Sequence, residues 1–314
     1  MHLSTQIEGN KFMPSIFWTG KLSLTMKLIV NINNMLAWIT GNARDTIAMK
    51  KRMKLGYEGA CSDHVTHYDE LGEKHYTKIA MKLLEAVDLQ GKEVLDVGCG
   101  TGILSLLSLE QGATKLVCGD LSEYMLNQCR QKITARGYSA AMIDFKQFDA
   151  EFLPFEDNSF DAVVSGMMIG LVPTQDRVVK EMARVLRPNG VVALSTHAPD
   201  CWWETSDATF RAIPKRYVIG YRIEYWPRKE KELQLMLKQS GLVNIRTPKL
   251  TWQDSFETGG KAYDFFAAVS ASWWNAKLPP EKIREISEKI RDYFERKRVT
   301  QITHDIILAY GNKP

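Results

Sequence analysis

Glu93-Val94-Leu95-Asp96-Val97-Gly98-Cys99-Gly100-Thr101-Gly102 is the stretch from which the rest of the chain is read. Its apolar run has the character of a buried strand, with Asp96 near the end. Three glycines then alternate with small residues, and Ile103, Leu104, Leu106 and Leu107 open a helical pattern. Strand, glycine turn and helix together form the mouth of a nucleotide-type site. Glycine lets the backbone bend sharply and lets a ligand lie against it. The spacing narrows the choice of nucleotide. Gly98-x-Gly100-x-Gly102 runs straight into Ile103, which is GxGxG and differs from the dinucleotide fingerprint GxGxxG. This argues against a nicotinamide-dependent oxidoreductase. No Gly-Lys-Ser/Thr follows, which excludes a P-loop.

Outward from this stretch the pattern alternates. A helix is predicted over about 102–111, a second strand over Lys115–Gly119 ending at Asp120, and a helix over 122–136 with Ser122 as its N-cap. A third strand around Met142–Phe148 ends at Asp149, and Phe160–Ser165 makes a fourth. A helix follows Thr174, Pro188-Asn189-Gly190 is a predicted turn, and Val191–Thr196 is the fifth strand. Strands separated by helices imply right-handed crossovers and a parallel sheet. Further on, Glu230–Gln239 reads as a helix, Val243–Arg246 as a sixth strand and Asp305–Tyr310 as the last. A helix begins at Pro279-Pro280, with Glu285 and Lys289 spaced to support it. Residues 198–228 and 250–300 read as insertions on the substrate side, rich in aromatics such as Trp202, Trp203, Phe210, Trp273 and Trp274.

The chain has 314 residues, 45% hydrophobic and 25% charged, enough for a large core. A net charge of +4 and a short mixed cluster at Arg228–Glu232 give no strong nucleic-acid signal. Five cysteines without a CxxC pair indicate neither zinc nor a disulfide framework, so no metal is expected and a cytoplasmic setting is. No run reaches the ~20 apolar residues of a membrane span. Residues 1–48 are expected to be an N-terminal extension, poorly ordered or accessory. A domain over 49–314 follows, with 49–76 as a polar lid segment and 77–197 as the ligand-binding core.

Val94-Leu95-Asp96-Val97-Gly98-Cys99-Gly100-Thr101-Gly102 resembles the first motif of class I S-adenosylmethionine (SAM) dependent methyltransferases. Asp120 matches that family's ribose-binding acid, and Phe148-Asp149-Ala150 its adenine-binding position. Leu153-Pro154-Phe155 with Phe160-Asp161, and Leu186–Gly190, resemble its later motifs. The likeness covers roughly 77–197, and the nearest branch is that of the ubiquinone/menaquinone C-methyltransferases. It implies a Rossmann-like fold: a mostly parallel seven-stranded sheet, helices on both faces, and helical insertions near the substrate site. It also implies SAM as cofactor and Asp96, Gly98, Cys99, Gly100, Thr101, Gly102, Asp120, Leu121, Asp149, Ala150 and Met167 as its contacts. Tyr68, in the run His67-Tyr68-Asp69, resembles the family's aromatic residue that closes over the cofactor.

The chemistry of SAM suits these residues. A carboxylate such as Asp120 can accept two hydrogen bonds from a ribose diol. Asp149, with Leu121 and Phe148 nearby, offers an acceptor and apolar faces for adenine. A carboxylate and carbonyls near Asp96 and Gly98 can meet the ammonium of the methionine end. Methyl transfer needs alignment and exclusion of water more than a fixed catalytic motif. A base is needed for a phenol, carboxylic acid or enolisable carbon. The candidates are His64, His67, Tyr68, His75 and His197. The motif of amino-group DNA methyltransferases and the paired glutamates of protein arginine methyltransferases are absent after the fourth strand, where Ser165-Gly166-Met167-Met168 stands. The reading is a methyltransferase acting on a small, partly apolar or aromatic acceptor. An RNA or protein acceptor, or a non-catalytic SAM-binding protein, is the alternative.

Overall fold

Val94–Val97 lies at the centre of a sheet buried on both sides. A computed structural model of the chain describes Lys21 and residues 24–39, 46–57, 62–213, 229–275 and 280–314. Strand β1 (Glu93–Val97) pairs in parallel with β2 (Lys115–Asp120) on one side and β4 (Phe160–Ser165) on the other. β3 (Ile143–Gln147) extends the sheet beyond β2, and β5 (Leu186–His197) extends it beyond β4. β8 (Gln301–Asn312) then pairs antiparallel with β5, and β6 (Val243–Arg246) with β8, giving the order β3-β2-β1-β4-β5-β8-β6. Successive side chains of β1 point to opposite faces, as the pleat requires. Val94 enters one apolar core, and Leu95 with Val97 enters the other.

Helices cover both faces. α3 (Ser62–Leu84) and α4 (Ile103–Glu110) contribute Ile79, Leu83, Leu84 and Leu104 to the first core. α6 (Gln175–Val185) and α8 (Glu230–Gln239) contribute Val178, Val179, Met182, Leu233 and Leu237 to the second. α5 (Glu123–Ala135) starts at the Ser122 cap, whose Oγ accepts the Met125 N–H at 3.3 Å. α9 (Gly259–Asn275) packs on α3, α10 (Pro280–Lys297) packs on α9 and on α7 (Trp203–Ala212), and Lys289 pairs with Glu285 at 2.5 Å. Ahead of α3 come α1 (Leu24–Ile39) and α2 (Thr46–Tyr57). Among the described residues no helix is long and apolar enough to cross a membrane.

Two expectations need correction. Among the described residues the sheet has eight strands, where seven were expected, because β7 (Lys249–Ser255) also pairs with β8. β6 (Val243–Arg246) meets the Tyr310–Asn312 end of β8, and β7 meets Gln301–Ile307. They are two segments of one edge strand broken at Thr247-Pro248, where proline cannot donate to the ladder. β7 alternates between half-buried and exposed residues, and only Leu250 and Trp252 on its inner face are apolar, too short a signal to mark the strand beside Pro248. The second correction concerns Pro188-Asn189-Gly190, which forms no separate turn. It sits inside β5 as an irregularity in the pairing with β4, with Asn189 at φ 66°. Within the expected insertion at 198–228, residues 203–212 are helical, and 214–228 lie outside the described residues.

Candidate functional site

The strand order reverses between β1 and β4, and ligands of open α/β sheets bind at that crevice, beyond the carboxyl ends of the strands. A cavity of about 210 Å³ opens there. It is lined by Asp96, Gly98, Cys99, Gly100 and Thr101 from the end of β1, by Asp120 and Leu121 after β2, by Phe148, Asp149 and Ala150 after β3, by Met167 after β4 and by His197 at the end of β5. Thus ten of the eleven expected motif contacts face one space. Gly102 is the exception and does not line it.

The glycine loop is shaped by what stands behind it. The N–H groups of Gly98 and Cys99 both donate to the Gly119 carbonyl, at 2.7 and 2.9 Å. Gly98 has φ 75°, and a Cβ there would lie 2.4 Å from Met168 Cγ. Gly102 caps α4 at φ 89°, where a Cβ would lie 2.6 Å from Cys129 Sγ. Its role is backbone geometry and close packing, away from the cavity.

Each carboxylate has a distinct setting. Asp120 Oδ2 accepts the Gly100 N–H at 3.0 Å, and Oδ1 accepts the Ser122 N–H at 2.9 Å. Burial raises its pKa, and those backbone donors work against the rise. Asp96 is wholly buried. Its Oδ2 accepts the Ser105 hydroxyl at 2.6 Å, whereas Oδ1 has no hydrogen-bond partner among the described residues. Burial pushes its pKa up to about 8. Asp149 Oδ1 accepts the Glu151 N–H at 3.0 Å. Its Oδ2 meets Lys50 Nζ from α2 at 2.5 Å, and the same ammonium reaches Glu151 Oε2 at 2.8 Å. Partial burial disfavours the Lys50 charge, but the two carboxylates outweigh it and hold its pKa above the usual lysine value.

Apolar and aromatic residues line the cavity as well: Tyr76, Trp202, Phe210, Phe266 and Val269, with Cys201 and Ser206. Met167, which also lines the cavity, has φ 59°, and its N–H is shared between Ser195 Oγ and the Ser195 carbonyl, each at 3.1 Å. Buried, bulky residues in the left-handed region are strained, and such strain clusters at functional sites. His197 is buried with its ring 4.4 Å from that of Trp202. Burial, aided by nearby His304, depresses its pKa to about 3, so at neutral pH it is an uncharged imidazole.

The remaining base candidates separate. His75 does not line the cavity; it is buried 4.6 Å from the His304 ring, and burial holds its pKa well below the usual histidine range. The side chains of His64, His67 and Tyr68 lie outside the described residues, as do those of Trp273 and Trp274. Neighbouring Asp69 was missed by sequence reasoning. Its Oδ1 accepts the Thr101 hydroxyl at 2.7 Å and its Oδ2 pairs with Lys132 at 2.9 Å, which ties α3 to the glycine loop and to α5. No sequence signal marks it beyond its place in the His67-Tyr68-Asp69 run. Lys50, Met53, Lys54 and Tyr57 of α2 also line the cavity, although only a general lid segment was expected there. Among the described residues no group of three or more His, Cys, Asp or Glu side chains is arranged to hold a metal ion.

Comparison with known proteins bears on the same region. The family described as "Methyltransferase domain" matches residues 95–194. Demethylmenaquinone methyltransferase of Staphylococcus aureus (strain JH9) is 33% identical over 187 residues, covering 52% of this chain and 72% of that protein. The biotin biosynthesis bifunctional protein BioHC of Saccharophagus degradans is 34% identical over 158 residues, 50% of this chain. The chain spans only 27% of that longer protein. Phosphoethanolamine N-methyltransferase 2 of Haemonchus contortus, solved with phosphomonomethylethanolamine and S-adenosylhomocysteine, shares the fold. Its TM-score is 0.51 at 18% identity, over 76% of this chain and 52% of that one. The motif order, the sheet and these relatives agree: the chain belongs to the class I SAM-dependent methyltransferases.

Proposed function

We propose that the protein transfers a methyl group from SAM to a small, partly apolar or aromatic acceptor. The observation that carries this reading is that one cavity is lined both by the acids at the ends of β1, β2 and β3 and by Tyr76, Trp202, Phe210 and Phe266.

The residues present fit SAM. The unpartnered, buried Oδ1 of Asp96 offers a place for the methionine ammonium, which would also draw the raised Asp96 pKa back down. Each Asp120 oxygen accepts one backbone N–H and keeps a lone pair for a ribose hydroxyl. Asp149 can accept from the adenine amine, with Leu121, Phe148 and Ala150 along its faces. Cys99 and Thr101 contribute backbone, and Gly100, where an added Cβ would meet nothing within 4 Å, leaves open space. When bound, SAM supplies a methyl group already activated on a sulfonium.

The chain's own contribution is alignment and exclusion of water. Met167 lines the same cavity as the acids and the aromatic residues. His197 is the candidate to take a proton from the acceptor at a ring nitrogen, because it is neutral and faces the cavity. Its depressed basicity restricts it to acidic protons. α2 and the start of α3 act as the lid, with Tyr68 closing over the cofactor and His67 as a second candidate base.

Calorimetry with SAM and S-adenosylhomocysteine tests the cofactor half, and absence of binding by the intact chain would end the proposal. Radiolabelled SAM offered with small aromatic acceptors, RNA and protein tests the rest. Label in the small-molecule fraction is expected; label confined to RNA or protein overturns the acceptor assignment.

A further inference from the structure

The lining of the cavity divides by charge. Its Lys, Arg, Asp and Glu side chains are Lys50 and Lys54 of α2 and the acids Asp96, Asp120 and Asp149 at the ends of β1, β2 and β3. The lining residues that come from 195–210 and from α9 include no charged side chain. A charged acceptor would lose its hydration there without gaining a partner, a cost of several kcal/mol.

Trp202 is the most constrained member of this neutral wall. Its backbone sits at φ 57°, an outlier for a bulky residue. The position is fixed from several sides. Its N–H donates to the Thr303 carbonyl at 2.7 Å, and its carbonyl accepts the Thr205 hydroxyl at 3.0 Å. Its indole N–H donates to His304 Nδ1 at 3.1 Å. His304 is wholly buried, stacks on Trp252 at 4.5 Å and 9°, and places Nε2 3.0 Å from Asp254 Oδ2. Because Nδ1 accepts from the indole, Nε2 is the ring nitrogen that carries a proton, and it lies near Asp254 without meeting hydrogen-bond geometry. The contacts of Asp254 and His304 set the plane of the indole, and Trp202 also lines the cavity, its ring 4.4 Å from that of His197. Packing alone would be met by any large apolar side chain, with no strained backbone and no buried histidine committed to one N–H.

We propose that Trp202 is the specificity-determining residue of the acceptor pocket, that it selects a neutral, planar apolar acceptor laid against the indole, and that His304 and Asp254 are positioning residues that fix its orientation. This rests on the methyl-transfer reading above. An aromatic face favours offset stacking of a flat partner, and the uncharged wall rejects a charged one.

The test uses the full chain saturated with S-adenosylhomocysteine, titrated calorimetrically with 2-naphthol and, separately, with phosphoethanolamine. Binding of 2-naphthol and none of phosphoethanolamine is expected. Trp202→Leu should weaken 2-naphthol at least about tenfold while S-adenosylhomocysteine affinity stays within about twofold. Trp202→Phe keeps a flat ring without the indole N–H and should fall between. His304→Leu should weaken 2-naphthol several-fold, and His304→Asn, whose amide oxygen can stand in for Nδ1, should restore most of the loss. Failure of 2-naphthol to bind the wild-type complex overturns the proposal, as does phosphoethanolamine binding as well or better. Equal losses in His304→Leu and His304→Asn reduce His304 to a structural residue and overturn its positioning role. If a Trp202 or His304 variant does not fold, the wild-type selectivity between the two probes still decides the acceptor class. A wild-type chain that fails to bind S-adenosylhomocysteine points instead to failure of the underlying methyltransferase reading.

Discussion

Lys50 Nζ lies 2.5 Å from Asp149 Oδ2, a contact that joins α2 to the end of β3 across 99 residues of sequence. With Glu151 it occupies the carboxylate assigned to adenine. A ligand that uses Asp149 bonds beside the Glu151 N–H at Oδ1, shares Oδ2 with Lys50, or displaces the lysine. The pair is partly exposed, so its net worth is about 0–1 kcal/mol. Lys50→Ala is therefore expected to tighten S-adenosylhomocysteine binding by up to about fivefold, with a weaker dependence on salt. Calorimetry at two ionic strengths checks this, and weaker binding would show that Lys50 supports the ligand.

Asp120 should matter more. Two charge-assisted hydrogen bonds to a ribose are worth about 1.5–3 kcal/mol each. Asp120→Ala is expected to weaken S-adenosylhomocysteine at least about tenfold, with some loss of stability because the Gly100 and Ser122 N–H groups lose their acceptor. Unchanged affinity in a folded variant would place the ribose elsewhere.

The loop glycines should separate stability from binding. Gly98→Ala meets Met168 and forces a left-handed alanine, so a loss of about 2 kcal/mol or more is expected in chemical denaturation. Gly100→Ala meets nothing and carries only the conformational cost of about 1–2 kcal/mol. Its methyl group enters open space at the cavity, so its larger effect should be on ligand affinity. The reverse ranking would mean that the loop rearranges when the ligand binds.

Asp96 gives a pH signature. Its folded pKa of about 8 lies above the ordinary ~3.9, so between those values the folded chain keeps a proton that the unfolded chain has released. Stability of the cofactor-free protein should fall as pH rises through that window. Asp96→Asn should flatten the slope. If the ammonium of S-adenosylhomocysteine takes the free Oδ1, binding at pH 7 releases a proton, and the measured enthalpy then varies with the ionisation enthalpy of the buffer. An enthalpy independent of buffer would remove Asp96 from that role.

How far the sequence carries can be seen at these same residues. β1, the three glycines, Asp120 and Asp149 were legible because strand period, turn chemistry and acids at strand ends are local signals. The Ser122 cap and the 280–297 helix were legible for the same reason. Lys50 and Asp69 were not, since each acts through a partner distant in sequence and neither has a distinctive neighbourhood. β7 hid behind Pro248 and its half-exposed faces. His304 is an unremarkable residue in an apolar strand until β8 is laid against β7, where it meets Trp202 and Asp254. His75 was singled out for its polarity, yet its place on α3 turns it into the core, away from the cavity.

The position of β8 has a temporal side. It is made after the other seven strands, yet it is wedged between β5 and the β6–β7 edge. The parallel half of the sheet, with Asp96, Asp120 and Asp149, has all its strands once residue 197 has left the ribosome. Trp202 then waits about a hundred residues for the histidine that anchors it. During synthesis the pocket for the methyl donor can close well before the pocket for the acceptor has a wall, and the exposed edge of β5 is the surface a chaperone would have to shield in the interval.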